Sequence, residues 1–361
     1  MTEVFVNPAR RPWRASVRND ARAFHRRLPG YEVRPVRALP TIAARLGLRD
    51  VWIKDESARF GLPAFKILGA SWAIYRLLVD RLGREPEWRD IAALRAAFEP
   101  LRPLRFVAAT DGNHGRAVAR VAMLLGFDAT ILVPHGTAAA RIDGIASEGA
   151  HVEVIDGTYD DSVAASAARA GDRTLVVSDT SWPGYTTVPE SVIEGYETIA
   201  TEADEQLGRA PDLVVVQSGV GALAAAMVDH YAATSRIVVV EPKSAACGLA
   251  AARAGEPVLV PGPHDSVMAG LNCGAVSIVA WPRLRDGVDV FVAIDDDVAI
   301  AALRELAGLG IAAGETGASG LAGLLALAVA APEVVADTSV LLFGTEGVTD
   351  PVAYARLVDG A

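Results

Sequence analysis

Residues 213–228 read LVVVQSGVGALAAAMV. The apolar run predicts a short strand, Leu213 to Gln217, of the continuously hydrophobic kind found in parallel sheets covered on both faces. The Ala-rich stretch that follows predicts a helix over Ala222 to Ala232, leaving Ser218-Gly219-Val220-Gly221 as the turn between them. A glycine-bearing turn that runs into a helix offers backbone N–H groups and the positive end of the helix dipole to an anion. The lysine of a mononucleotide P-loop and the full dinucleotide glycine pattern are both missing, which favours a singly phosphorylated ligand over ATP or NAD. In isolation the same glycines also suit a tight turn with no ligand.

The same grammar extends in both directions. Upstream, short apolar runs (Phe106 to Ala109, Thr130 to Pro134, His151 to Ile155, Thr174 to Ser178) alternate with helical stretches (Arg116 to Leu125, Ala139 to Glu148, Asp161 to Ala170). Downstream of a helix around Ser191 to Leu207, strands are expected at Ile237 to Glu241, Val288 to Ala293 and Ser339 to Phe343, with helices near Asp297 to Ala307 and Gly317 to Ala331. The pattern describes two α/β units. Ligands sit beyond the carboxyl ends of parallel strands, so the chemistry is sought in the loops after Ala109, Ser178, Gln217 and Phe343.

At 361 residues the chain exceeds what one core usually serves. Hydrophobic residues make up 51% and charged residues 22%, the balance of a well-packed soluble protein. With 34 Lys+Arg against 44 Asp+Glu, the net charge of −10 argues against nucleic acid as a partner. The amino terminus carries charge without an apolar signal core, and no apolar stretch is long enough to span a bilayer, so a cytoplasmic protein without a membrane partner is expected. Two cysteines, Cys247 and Cys273, are too few for a disulfide framework and lack the clustered spacing of a metal site, so no metal is expected.

Three further segments carry chemically useful residues. In Ser57-ARFGLPAF-Lys66, an irregular Gly/Pro stretch leads into a helix, placing Lys66 near the helix start, where the dipole lowers an amine's pKa and suits Schiff-base formation. An ordinary exposed lysine fits this spacing equally. In Thr110-Asp111-Gly112-Asn113-His114-Gly115, Gly112 permits close backbone approach, Asn113 can bind a phenolic oxygen and Asp111 can exchange protons, although a capped turn reads the same way. At Phe343-Gly344-Thr345-Glu346-Gly347, the Thr345 hydroxyl can meet a ring nitrogen and would leave it largely unprotonated, or it simply caps the strand end.

In this order along nearly the whole chain, the lysine segment, the Asp-Gly-Asn-His-Gly loop, the glycine loop and the terminal hydroxyl segment resemble the fold type II (tryptophan synthase β-like) pyridoxal-phosphate enzymes. Within that superfamily SARFGLPAFKILGAS, TDGNHGR, SDTSWPGY, MAGLNCG and GTEGVTDP are similar to the diaminopropionate ammonia-lyases. Serine and threonine dehydratases usually show Ser-x-Gly-Asn-His at the second motif, whereas Asp111 stands just before the Gly-Asn-His here. Pro63, Ile67 and the segment bearing Asn272 depart from the family pattern, which bears on substrate range more than on cofactor use.

The resemblance implies two parallel-sheet α/β domains with pyridoxal 5′-phosphate between them: a large one from 1–102 and 189–361, and a smaller inserted one from 103–188. It implies that Lys66 holds the cofactor as an internal aldimine, with Phe65 beside it and Asn113 at the ring hydroxyl. Phosphate anchoring falls to Gly219, Val220, Gly221, Ala222 and Leu223, and the ring nitrogen to Thr345. Thr110, Asp111, Gly112 and His114 are the candidates for gripping the substrate carboxylate. Asp111 and Asp179 would be the two acids on opposite faces of the cofactor, allowing α,β-elimination of either enantiomer of 2,3-diaminopropionate, through an aminoacrylate, to pyruvate and ammonia. An Asx turn before Trp182-Pro183-Gly184 is the other reading of Asp179. A homodimer is the implied assembly. A serine/threonine dehydratase or β-replacement enzyme of the same fold, and a non-catalytic cofactor-binding regulatory protein, are the rival readings.

Overall fold

The structure, a computed structural model, describes residues 2–14, 20–110 and 112–359. Among these, the strands are β1 (Glu3–Val6), β2 (Val36–Ala38), β3 (Asp50–Asp55), β4 (Arg105–Ala109), β5 (Asp128–Pro134), β6 (His151–Ile155), β7 (Thr174–Val176), β8 (Leu213–Gln217), β9 (Arg236–Pro242), β10 (Val290–Ile294) and β11 (Ser339–Gly344). They form a seven-stranded sheet in the order β1-β10-β9-β8-β11-β3-β2 and a four-stranded sheet in the order β6-β5-β4-β7. The fold class is the expected one, α/β with two parallel sheets.

In the larger sheet the five inner strands are mutually parallel, and only the edge strands β1 and β2 run antiparallel to their neighbours. Every residue of β8, β10 and β11 is buried, which is why they are uninterrupted apolar runs in the sequence. β3 was not legible because its pattern is broken by Lys54 and Asp55. Lys54 is tolerated inside because its Nζ donates to Glu202 at 2.9 Å and to the Arg34 carbonyl at 2.6 Å, with both charged side chains fully buried.

The chain divides into two compact units, one of residues 1–18, 33–58 and 197–361 and the other of residues 19–32 and 59–196. These limits differ from the expected inserted domain of 103–188, chiefly because residues 59–102 and 19–32 go with the second unit. Apolar packing explains the difference. Phe24 stacks on Tyr75 at 4.5 Å and meets Trp72 and Trp88 at 5.6 and 5.8 Å, while the helix Ile67–Leu82 packs on the helix Asn113–Leu125. These long-range aromatic contacts leave no periodic trace in the sequence.

Within the first unit, the helix Ser319–Ala330, apolar after its first residue, lies against β8 and β9, and its approach depends on Gly323. A Cβ there would fall 2.2 Å from a Val240 methyl carbon. We expect Gly323→Ala to destabilise the protein by about 1–3 kcal/mol through overpacking. Gly308→Ala, at a helix end with open space around the position, should be neutral or slightly stabilising. Urea unfolding of the two variants beside the parent measures the contrast, and equal effects would count against the packing argument.

Candidate active site

The lysine segment begins with a tight hairpin. Arg59 and Leu62 exchange backbone hydrogen bonds of 2.8 and 2.9 Å around Phe60 (φ 54°) and Gly61 (φ 74°), a two-residue turn with both central residues left-handed. The chain then enters the helix Ile67–Leu82 with Lys66 as its N-cap residue. The Lys66 side chain makes no capping bond, and its ammonium donates to Asp179 Oδ2 at 2.7 Å. Phe65 turns into the core and packs on Tyr196 with ring centroids 4.7 Å apart. The helix start is held close to the helix Thr187–Leu207 by Gly69 and Gly195. A Cβ on the former would lie 2.6 Å from the Tyr196 ring, and one on the latter 2.5 Å from the Leu68 carbonyl oxygen.

Asp179 occupies the loop after β7, and its backbone is tied down by Tyr185. The Tyr185 hydroxyl donates to the Val176 carbonyl at 2.8 Å and accepts from the Ser178 N–H at 3.0 Å, while its ring stacks on Trp182 at 4.2 Å. The Asp179 carboxylate takes the Lys66 ammonium on one oxygen and the Tyr159 hydroxyl, at 3.3 Å, on the other. Burial works to raise the Asp179 pKa. The Lys66 charge, the nearby His114 and the hydrogen bonds from Lys66 and Tyr159 outweigh it, holding the carboxyl well below the usual carboxylate range.

Tyr159 was missed from the sequence. It starts the helix Tyr159–Ala167, whose N-cap Thr158 and Asp161 form a reciprocal capping box. That Thr-x-x-Asp signal places the helix start two residues before the expected Asp161 and would have drawn attention to the tyrosine.

After β4, Thr110 is buried and its hydroxyl accepts from the Gly112 N–H at 2.9 Å, shaping a turn in which Gly112 has φ 148°. Asn113 and His114 open the helix Asn113–Leu125, three residues earlier than the apolar pattern indicated. His114 is buried with Nε2 in a 2.8 Å hydrogen bond to the Val177 carbonyl, so this ring joins the β4 loop to the strand that leads to Asp179. Thr110 and His114 are thus engaged with backbone. Asp111 lies outside the described residues.

In the other unit, the turn after β8 is built as a cradle. Gly221, at φ 99°, is the N-cap of the helix Ala222–Tyr231 and supplies no side chain to cap it. The carbonyls of Gly219 and Val220 point behind the loop, toward the Cys247 thiol at 3.5 Å and the Ser277 N–H at 2.9 Å. Among the described residues, no acceptor takes up the N–H groups of Gly219, Val220, Gly221, Ala222 or Leu223. A Cβ at Gly219 would sit 3.1 Å from the Gly270 carbonyl oxygen and 3.2 Å from the Cys273 sulfur, so a side chain there would crowd both. Thr345, just past β11, is buried, and its Oγ1 accepts from Gln217 Nε2 at 2.9 Å. Gln217 is the second residue missed; it is the polar end of an otherwise apolar run.

Comparison with known proteins agrees with these features. A model of the family "Pyridoxal-phosphate dependent enzyme" matches residues 28–345. Diaminopropionate ammonia-lyase of Salmonella typhimurium is 36% identical over 95% of this chain and 92% of its own length. The crystal structures of the holo Escherichia coli diaminopropionate ammonia-lyase and of its complex with D-serine each superpose with a TM-score of 0.92 at 34% identity, covering all of this chain and 97% of theirs. The residues present fit such a cofactor: a partly buried amine for its aldehyde, a loop of unclaimed N–H groups for its phosphate, and a buried hydroxyl for its ring. The chain belongs to the pyridoxal-phosphate-dependent enzymes and, within them, to the diaminopropionate ammonia-lyase family.

Proposed function

We propose that this protein eliminates both amino groups of 2,3-diaminopropionate, giving pyruvate and two molecules of ammonia, with pyridoxal 5′-phosphate as cofactor. The observation that carries the reading is the buried Asp179 carboxylate 2.7 Å from the Lys66 amine. An elimination needs a base for the Cα proton and an acid for the departing amine, and a buried carboxylate beside the cofactor lysine can take both parts in turn.

When bound, pyridoxal phosphate supplies an aldehyde that condenses with amines and an electron-withdrawing ring that stabilises negative charge at the adjacent carbon. Lys66 is the amine that would carry it, and the N–H groups of 219–223 would hold its phosphate. Thr345 would meet the ring nitrogen and Asn113 the ring hydroxyl. With Lys66 committed to the cofactor, its hydrogen bond to Asp179 would be given up, and the buried carboxylate would be freer to accept a proton. Asp179 removes the Cα proton from one enantiomer and Asp111 from the other. The acid so formed protonates the leaving β-amine, with the Tyr159 hydroxyl steadying the carboxylate. The β4 turn around Thr110, Gly112 and His114 receives the substrate carboxylate.

The charge balance, the two unbridged cysteines and the family resemblance support a cytoplasmic homodimer acting on a small amino acid. Among the described residues, no helix is long and apolar enough to cross a membrane. A serine/threonine dehydratase shares the lysine and the phosphate loop, but Asp111 just before the Gly-Asn-His, where dehydratases usually show Ser-x-Gly-Asn-His, ranks it second.

Supplied separately with D- and L-2,3-diaminopropionate, serine and threonine, the cofactor-loaded protein should form pyruvate fastest from diaminopropionate. A preference for the hydroxy amino acids would transfer the assignment to the dehydratases. Lys66→Ala should abolish turnover together with the visible absorption of the lysine-bound cofactor, and normal steady-state activity in that variant would overturn the cofactor assignment. Asp111→Asn and Asp179→Asn should each lose about 100-fold or more on opposite enantiomers, the usual scale for removing a general base. Negligible losses on both enantiomers would defeat the two-acid scheme.

In the cofactor-free protein, Asp179 has a folded-state pKa below its unfolded value, so its ionised form stabilises the fold. That contribution is complete above the unfolded pKa of about 3.9 and fades as pH falls through the lower folded value. The stability difference between the parent and Asp179→Asn, from urea unfolding, should therefore hold steady above about pH 5 and narrow below about pH 4. A gap that widens on acidification would contradict the ion pair.

A further inference from the structure

Gln217 is a buried polar residue at the end of an otherwise apolar strand, and its contacts are one-sided. Nε2 faces three acceptors: the Thr316 carbonyl at 3.0 Å, the Phe343 carbonyl at 2.9 Å and Thr345 Oγ1 at 2.9 Å. Oε1 is buried, has no hydrogen-bond partner among the described residues and lies over Gly320, where an added Cβ would come within 3.3 Å. The amide cannot be turned over, because Oε1 would then point at two carbonyl oxygens, which have no proton to give. Oε1 is therefore a buried acceptor left unsatisfied, a cost that the hydrogen bonds of Nε2 offset in part.

The consequence falls on Thr345. Nε2 has two protons for its three acceptors and no lone pair to accept with, so whichever of them the protons serve, the Thr345 O–H cannot point at it and must point elsewhere. Among the described residues that O–H meets no acceptor, although Thr345 is buried. We propose that Gln217 is a positioning residue that fixes the Thr345 hydroxyl as a hydrogen-bond donor, so that the cofactor ring nitrogen opposite it is bound in its unprotonated form. This rests on the reading that Thr345 faces the ring nitrogen. A threonine free to rotate can accept from a protonated ring as readily as it donates to a neutral one. With Gln217 in place the choice is made by the protein, and the ring withdraws less charge than a pyridinium would.

The test is the nitrogen-15 chemical shift of holoenzyme loaded with cofactor labelled at the ring nitrogen, with free cofactor in its protonated and unprotonated states as references. The parent should read as unprotonated throughout the pH range in which it is folded, and a protonated reading there overturns the proposal. Gln217→Met, uncharged and of similar volume, and Gln217→Leu both remove the donating amide without adding an acceptor, so in each the signal should move part of the way to the protonated reference and titrate with pH. Thr345→Val distinguishes the two levels of the argument. If it shifts the signal while neither Gln217 variant does, Gln217 has no positioning role. If it too leaves the signal unchanged, Thr345 does not face the ring nitrogen, and the inference fails with the reading beneath it.

Discussion

A primary amine buried at its base beside a buried carboxylate constrains everything around it. Lys66 and Asp179 are 113 positions apart in sequence, yet their charged atoms stand 2.7 Å apart. Neither the hairpin before Lys66 nor the loop after β7 could wander without separating them. The amine is fixed from below by a helix whose first turns are entirely buried and whose glycine lets a second helix close in. The carboxylate is fixed by a tyrosine hydroxyl that clamps the loop backbone at both Val176 and Ser178. Hydrogen bonds to backbone on one side and apolar packing on the other give a reactive pair little freedom to relax.

Each unit places its chemistry by the same rule. In the four-stranded sheet, Asn113 and Asp179 follow the carboxyl ends of the parallel strands β4 and β7. In the seven-stranded sheet, the glycine cradle and Thr345 follow β8 and β11. Parallel strands bury their side chains on both faces and leave only their ends to present polar groups. Gln217 shows how narrow the margin is, because one residue further along β8 the chain leaves the sheet for the glycine turn.

Much of this was legible beforehand, and the limits have physical causes. Inner parallel strands such as Leu213–Gln217 announce themselves because double-sided burial forbids polar residues, and the motifs around Lys66, Gly112, Gly219 and Thr345 are local in sequence. Harder to read were contacts joining distant segments. Lys54 disguised β3 because its partner Glu202 lies 148 positions away, and the aromatic cluster of Phe24, Tyr75 and Trp88 carried residues 59–102 into the second unit. Tyr159 carried only the faint signal of its neighbours' capping box. Gln217 looked like an ordinary polar residue at the end of a strand, and only the two carbonyls facing its nitrogen show which way its amide must lie.

The contact between Lys66 and Asp179 also bears on how the empty protein meets the many aldehydes of metabolism. An amine held as an ammonium ion has no lone pair with which to attack a carbonyl, so random collisions with sugars or reactive aldehydes are unproductive. The partner that succeeds must linger long enough for the proton to leave. On the proposed reading, a phosphorylated aldehyde retained by the N–H groups of residues 219–223 would have that residence time. Selectivity for the right carbonyl would then be kinetic, set by dwell time against proton loss.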